Sequence, residues 1–368
     1  MNLTWITGRR IGSDLAGATE VGLSRSLTSC GHNIHMISPS NDTYEGIGRH
    51  TLVKQSRITG LKSISMGKNV RKIVSVDESV WEWTDIFLID WRLVASLNGE
   101  MKGRAAKWCI IDRGPPADVG IIANLQKIQW KRAWKISAMG ALGGFVVSNR
   151  HKKFVQEKTG VGVDIRALPA GTNIGSFSGS MKNPEGHVRF VYSGQLDDNR
   201  DIEGMVKLIE NFHLISADCS MAIMGKGELP PSLKFHADTS DQVDFYGNVP
   251  IRQVWDELEK SHVGIMPMPK SGIWETSSPI KLAEYLAAGL LTIGPKHDGN
   301  DLQGENSWSL LSENEFWQLD CLEKINHVLS RGEWFELSGA AIHSAKLLDW
   351  GIIAKDMEKT LEEWLDPS

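Results

Sequence analysis

Short apolar runs alternate with segments of helical period along the whole chain. In the first half, NLTWITG reads as a strand and RRIGSDLAG as a loop containing glycine. ATEVGLSRSLTSC follows as a helix stopped by Gly31, then NIHMIS as the next strand. WTDIFLID, KWCIID and GGFVVS continue the series. In the second half VRFVYSG precedes Ile202, Met205, Val206, Ile209 and Phe212 at helical spacing. SMAIMG, QVDFYG and HVGIMPMP are then strands, each ending at Gly or Pro. This alternation predicts parallel sheets covered by helices on both faces. SFSGSMKNPEG (176–186) has the composition of a linker. The expected fold is α/β, with two doubly wound units facing each other.

The most specific stretch is ETSSPIKLAEYLAAGLLTIGP (275–295). Ser278 suits a helix N-cap, and Pro279 suits a first turn, where proline loses no hydrogen bond. Ile280, Leu282, Ala283, Leu286 and Ala287 make the helix apolar, Gly289 stops it, and LLTIG is a short buried strand. Glu284 is the one acid inside this helix, about 7–8 Å along the axis from Pro279. A helix N-terminus favours phosphate through its free N–H groups and dipole. A carboxylate one to two turns further in suits two vicinal ribose hydroxyls, so the spacing fits a nucleoside diphosphate. Pairing of Glu284 with Lys281 or an Arg inside a buried helix fits the same pattern.

The chain has 368 residues, too many for one ordinary core, with 41% hydrophobic and 23% charged residues as in soluble globular proteins. Cys30, Cys109, Cys219 and Cys321 are widely spaced, with no CxxC, which points to free thiols in a reducing cytoplasm and to no metal site. No apolar run reaches the roughly 18 residues of a membrane span, and MNLTWITGRR reads as a first strand and not a signal peptide. The net charge of −5 is unevenly spread. Residues 1–178 carry 24 Lys and Arg against 14 Asp and Glu, whereas residues 179–368 carry 16 against 31. The basic half suits phosphorylated or anionic-lipid material, or docking against the acidic half. Gly8, Gly12 and Gly17 are too widely spaced for GxGxxG, and no GxSxG is present, so dinucleotide oxidoreduction and triad hydrolysis are poor fits.

Beyond these patterns, the chain resembles the retaining nucleotide-sugar glycosyltransferases of the GT-B fold, family 4 type. The resemblance runs nearly the whole length. It is carried by GATEVGLSRSLTSCGHNIHMIS, LPAGTNIGSF (with Asn173 where Asp is usual), VRFVYSGQLDDNRDIEGMVKLIENF, MAIMGKGEL, VDFYGNVPIRQVWDELEKSHVGIMPMP and above all SSPIKLAEYLAAGLLTIGP. It implies two Rossmann-like domains facing across a cleft: an acceptor domain over 1–178 and a donor domain over 179–350. A last helix (351–368), within LLDWGIIAKDMEKTLEEWL, would cross back to the first domain.

The resemblance further implies metal-independent transfer of a hexose, without a cofactor, from a UDP- or GDP-sugar to an acceptor hydroxyl. Glu284 corresponds to the second acid of the family's E-x7-E motif. Thr276 stands at the first, with Glu275 beside it. Gly194, Gly225, Gly272, Ser277 and Ser278 complete the donor loops. Where the family has Arg and then Lys after the first donor-domain strand, this chain has Gln195 and Arg200. Arg200 would stabilise the departing phosphate, with Lys281 or Arg252 supplying the cation lost at Gln195. A solvated Arg200 beside Asp198 and Asp201 fits as well.

On the acceptor side the expected residues are Gly12, Gly17, Asp90, Asp112 and Arg113, with Asp112 where the family often has His. Asp112 suits sugar hydroxyls or the acceptor's proton and Arg113 an acceptor phosphate; an Asp112–Arg113 turn held by Pro115 and Pro116 suits the sequence equally. Residues 121–160 carry Lys127, Lys131, Arg132, Lys135, Arg150, Lys152, Lys153 and Lys158 around Trp130 and Trp134. That fits a helix resting on an anionic inner membrane surface and a lipid-linked or glycan acceptor. It also fits a helix with one solvated face and its tryptophans in the core. No nucleic-acid partner is expected. The alternatives are a non-catalytic nucleotide-sugar-binding or partner protein of the same fold, favoured by Gln195 and Thr276, and a nucleotide-sugar epimerase.

Overall fold

The computed structural model describes residues 1–11, 17–39, 46–56, 58, 61–116, 121–302, 304 and 306–366, with the side chains of 121–123 left aside. It divides into two compact units, Met1–Pro169 with Trp350–Ser368, and Ala170–Asp349.

Unit 1 is built on a parallel sheet of β1 (Asn2–Ile6), β2 (Asn33–Ser38), β3 (Arg49–Leu52), β4 (Ile86–Asp90), β5 (Trp108–Asp112), β6 (Gly143–Val146) and β7 (Ile165–Ala167), in the order β3-β2-β1-β4-β5-β6-β7. β4 and β5 are buried at every residue, as strands covered on both faces must be. Helix Trp350–Leu365 belongs to this unit. Its Ile353, Met357, Leu361 and Trp364 pack with Leu3, Trp5, Leu23 and Leu27. Gly22 on helix Ala18–Ser29 makes the approach possible, because a Cβ there would run into the Trp350 indole.

Unit 2 carries β8 (His187–Ser193), β9 (Asp218–Met224), β10 (Val243–Gly247), β11 (Val263–Ile265) and β12 (Leu291–Ile293), all parallel, in the order β10-β9-β8-β11-β12. Residues 170–178 pack with this unit: Thr172 N donates to Leu348 O at 2.9 Å, and Phe177 joins its core.

Two local expectations change. The periodic run Ile202–Phe212 is not one helix. Asp201 takes a left-handed backbone (φ +46°) and its Oδ1 accepts from Gly204 N at 3.2 Å, so the helix covers only Gly204–Glu210. Ser278 is not the cap of the Glu284 helix, which spans Ile280–Ala287 with Pro279 at the cap position. The Ser278 hydroxyl oxygen instead accepts from Ala170 N at 2.9 Å. Among the described residues no helix is long and apolar enough to cross a membrane.

Candidate functional site

In unit 2 the strand order reverses between β8 and β11, the place where ligands of doubly wound sheets bind beyond the strand ends. Gly194 follows β8 and Gly225 follows β9, with φ of +157° and +153°. A Cβ on Gly225 would overlap Gly194 O, so only glycine lets these two loops touch. A Cβ on Gly194 would lie 2.8 Å from Lys281 Nζ and 3.0 Å from Tyr192 Oη. The first loop, the β8 tyrosine and the start of helix Ile280–Ala287 therefore converge on one small space.

Lys281 sits in the first turn of that helix. Its Nζ lies 4.3 Å from the centre of the Tyr192 ring and 3.9 Å from Met268 Sδ, a weak acceptor for an ammonium. Burial, helped by the nearby Arg200, pulls its pKa down to about 7. Glu284, one turn on, is buried. Its Oε1 accepts from the Trp255 indole at 3.1 Å. Burial raises its pKa to about 7, against the pull of the indole donor and of Lys281.

Arg200 closes the other side. Its guanidinium pairs with Asp197 and stacks on Trp274 with 4.9 Å to the ring centre. Trp274 also donates its indole N–H to Asn199 O at 2.9 Å, tying loop 271–277 to the turn that carries Arg200. The carboxylate that pairs with Arg200 is thus Asp197, and not its chain neighbours Asp198 and Asp201. Gln195 turns its side chain to solvent, and only its backbone oxygen takes part, accepting from Tyr192 Oη at 2.6 Å. Arg252 is exposed on helix Ile251–Lys260.

Of the donor-loop residues, Gly272 is exposed at the start of helix Gly272–Glu275, and Glu275 is partly buried at its end. Thr276 is buried and donates its hydroxyl to Ile273 O at 2.8 Å. Ser277 donates to Trp274 O at 2.6 Å. These two hydroxyls fasten their own loop, which leaves backbone amides and the Ser278 hydroxyl proton as its donors.

The strand-end residues of unit 1 fare differently. Asp112 is wholly buried, which rules out an exposed role with acceptor hydroxyls. Its Oδ2 accepts from the indoles of Trp130 at 2.6 Å and Trp134 at 2.9 Å and lies 3.4 Å from His151 Nε2; its Oδ1 accepts from Gly114 N at 3.1 Å. Burial alone would raise its pKa, but His151 and the two indoles hold it at about 2. The tryptophans of helix Ile121–Gly140 therefore point inward and do not rest on a membrane. Arg113 is tied into its own unit: its guanidinium donates to Leu168 O at 2.5 Å and Thr19 Oγ1 at 3.3 Å. Asp90 caps helix Trp91–Gly103 through Arg92 N at 3.0 Å. Gly17 stands at the cap position of helix Ala18–Ser29. Gly12 lies outside the described residues.

Arg200, Lys281, Glu284, Gly194 and Gly225 are thus brought together by the fold. Tyr192, Trp255 and Trp274 complete the site and were not singled out in the sequence. Trp274 was the detectable one, a large aromatic in a loop of otherwise small and polar residues.

Residues 187–330, which include β8–β12 and the Glu284 helix, match the family described as Glycosyl transferases group 1. No curated protein matches the chain by sequence. Among solved structures, sucrose-phosphate synthase from Thermosynechococcus elongatus is 15% identical with a TM-score of 0.74 over 100% of both chains. A glycosyltransferase from Rickettsia africae is 15% identical, with a TM-score of 0.72 over 100% of this chain and 99% of its own. Anabaena Alr3699/HepE, solved in complex with UDP, is 10% identical, with a TM-score of 0.71 over 99% of this chain and 100% of its own. At these identities the likeness is one of fold, and the fold that this chain shares with them is GT-B.

Proposed function

We propose that this chain is a retaining, metal-independent glycosyltransferase that takes a hexose from a UDP- or GDP-sugar bound in unit 2. The observation that carries the reading is the pair Lys281 and Glu284: a half-buried ammonium that meets, among the described residues, the Tyr192 ring face and a thioether but no carboxylate within ion-pair distance, and a buried carboxylate with one indole donor, one turn apart on a helix that opens beside two close-packed glycine loops. A diphosphate between Lys281, Arg200 and the first-turn amides answers the first deficit. Ribose hydroxyls answer the second. As the glycosidic bond to the donor breaks, negative charge grows on the departing phosphate. Arg200 and Lys281 supply fixed positive charge there, which is why no divalent cation is invoked. The Anabaena structures with UDP and UDP-glucose favour uracil as the base.

A lipid-linked acceptor at the inner membrane face is the acceptor class we favour, the protein being cytoplasmic and peripheral. Helix Ile121–Gly140 turns Leu125 and Ile128 to solvent among Lys127, Lys131, Arg132 and Lys135, a composition suited to an anionic surface even with both tryptophans in the core.

The test is thermal stabilisation by UDP, GDP and ADP, followed by release of UDP from UDP-sugars. A nucleotide at 100 times its dissociation constant adds roughly 2.7 kcal/mol. Glu284→Ala should weaken that nucleotide by about 1.5–3 kcal/mol. Unchanged affinity in the variant removes the donor-site assignment.

A further inference from the structure

Trp274 lies in the short helix Gly272–Glu275, and three loops of unit 2 meet on it. Its indole N–H reaches Asn199 O in the loop after β8, and its ring carries the Arg200 guanidinium. Its own carbonyl accepts from Ser277 N at 3.0 Å and Ser277 Oγ at 2.6 Å, which closes the loop after β11 on itself. The loop after β12 packs against the same carbonyl at Gly299, where a Cβ would overlap Trp274 O.

That third loop is fixed in turn. His297 Nε2 donates to Met268 O at 2.9 Å, and Asn300 Nδ2 donates to Met266 O at 3.0 Å and Pro295 O at 2.9 Å. The Trp274 backbone is thus held from two sides, while its ring packs half-buried against the unit 2 core. Arg200 has no such support of its own. A free arginine side chain samples many rotamers, and fixing one costs entropy. Its ion pair with Asp197 joins two residues three apart on one short turn, so the pair can swing together. The Trp274 ring restrains the guanidinium from a different loop. It covers a face of the group, and the N–H donors that meet an anion lie in the plane of the group, not on its face.

We infer that Trp274 is a positioning residue: its ring and indole N–H hold the Arg200 guanidinium in the orientation that meets the departing phosphate, and Gly299 is the glycine that lets Trp274 stand there. The effect on turnover rests on the glycosyl-transfer reading of unit 2. The hold on Arg200 does not.

Two readouts separate them. The first is the Arg200 Nε–H signal in proton–nitrogen NMR spectra of the protein without nucleotide, assigned by its absence from Arg200→Lys. The Trp274 ring current should displace it from the free-arginine position in wild type. The displacement should survive in part in Trp274→Phe, which keeps an aromatic face. It should disappear in Trp274→Leu and shrink in Gly299→Ala, a change two contacts away from Arg200. A free-arginine position in wild type would overturn the inference, as would an Arg200 signal left unmoved by Trp274→Leu; should that variant fail to fold, Trp274→Phe and Gly299→Ala decide in the same way. The second readout is release of UDP from UDP-glucose. Trp274→Leu should lower the turnover number about tenfold and leave the donor's Michaelis constant within about twofold, with most of the loss recovered in Trp274→Phe. Its effect should vanish when Arg200 is already replaced by alanine. A loss that persists in the Arg200→Ala background would overturn the role in turnover. No release of UDP by wild type would count against the donor reading, and the first readout would still decide the hold on Arg200.

Discussion

Asp112 in unit 1 and Glu284 in unit 2 are both buried carboxyls that accept from tryptophan indoles, and the two environments drive them in opposite directions. Asp112 receives two indole N–H groups and the Gly114 amide, with His151 alongside, and is held at about 2. Glu284 receives one indole and faces a lysine that is itself partly neutral at pH 7, and is raised to about 7. Desolvation acts on both. What separates them is whether enough donors are fixed around the ion to replace its water. Asp112 is finished as a structural hub, whereas Glu284, with one indole donor, keeps acceptor capacity for the ribose hydroxyls we propose.

The sharpest way to break the comparison is Asp112→Ala, which strands two indoles and an imidazole in the interior. It should cost unit 1 about 3–5 kcal/mol in chemical denaturation and leave UDP affinity in unit 2 unchanged. The sign of its pH dependence follows from the lowered pKa: the Asp112 contribution is complete above about pH 4 and is lost as pH falls through about 2. Asp112→Ala should flatten that part of the wild-type stability curve.

Arg200→Ala should lower the turnover number about a hundredfold with little change in the donor's Michaelis constant, because the charge it opposes grows only as the bond breaks. Equal losses in binding and turnover would recast Arg200, stacked on Trp274, as a loop anchor.

Lys281, with its pKa near 7, should pick up roughly half to one proton when UDP binds at about pH 8, since the diphosphate favours the ammonium. Calorimetry in buffers of different ionisation heat measures this uptake. It should persist in Glu284→Gln and vanish in Lys281→Met.

The smallest effect belongs to Trp255→Phe. Removing the one indole donor should raise Glu284 further. A raised carboxyl gives stability that is complete below about pH 4.5 and lost as pH rises through about 7. The variant should therefore lose about 1 kcal/mol more than wild type between about pH 5 and 8. A parallel shift at both pH values would mean that Trp255 only packs.

Most of the architecture was legible because buried parallel strands are written as unbroken apolar runs. NIHMIS corresponds to β2 residue for residue. β3 (RHTL) and β7 (IRA) escaped notice as short edge strands, which need little apolar sequence. The helix around Glu284 and the place of Arg200 followed from local order along the chain. Partnerships across the fold did not. Trp255 stands 29 residues from Glu284 and Trp274 stands 75 from Asn199, separations over which no periodicity speaks. Trp130 and Trp134 carried two meanings in the sequence, and Asp112 decides between them by accepting from both indole N–H groups.

The seat of Trp350 against Gly22 has a consequence for how the protein is made. Unit 2 is a single stretch, 170–349, and can close as it leaves the ribosome. Unit 1 waits until the segment beyond 349 has been translated, with Leu3, Trp5, Leu23 and Leu27 lacking their cover in the meantime. During synthesis, the half begun first is the half finished last. A free chain ending at residue 349 should carry a protease-resistant unit 2 tethered to a unit 1 that is still open to chaperones.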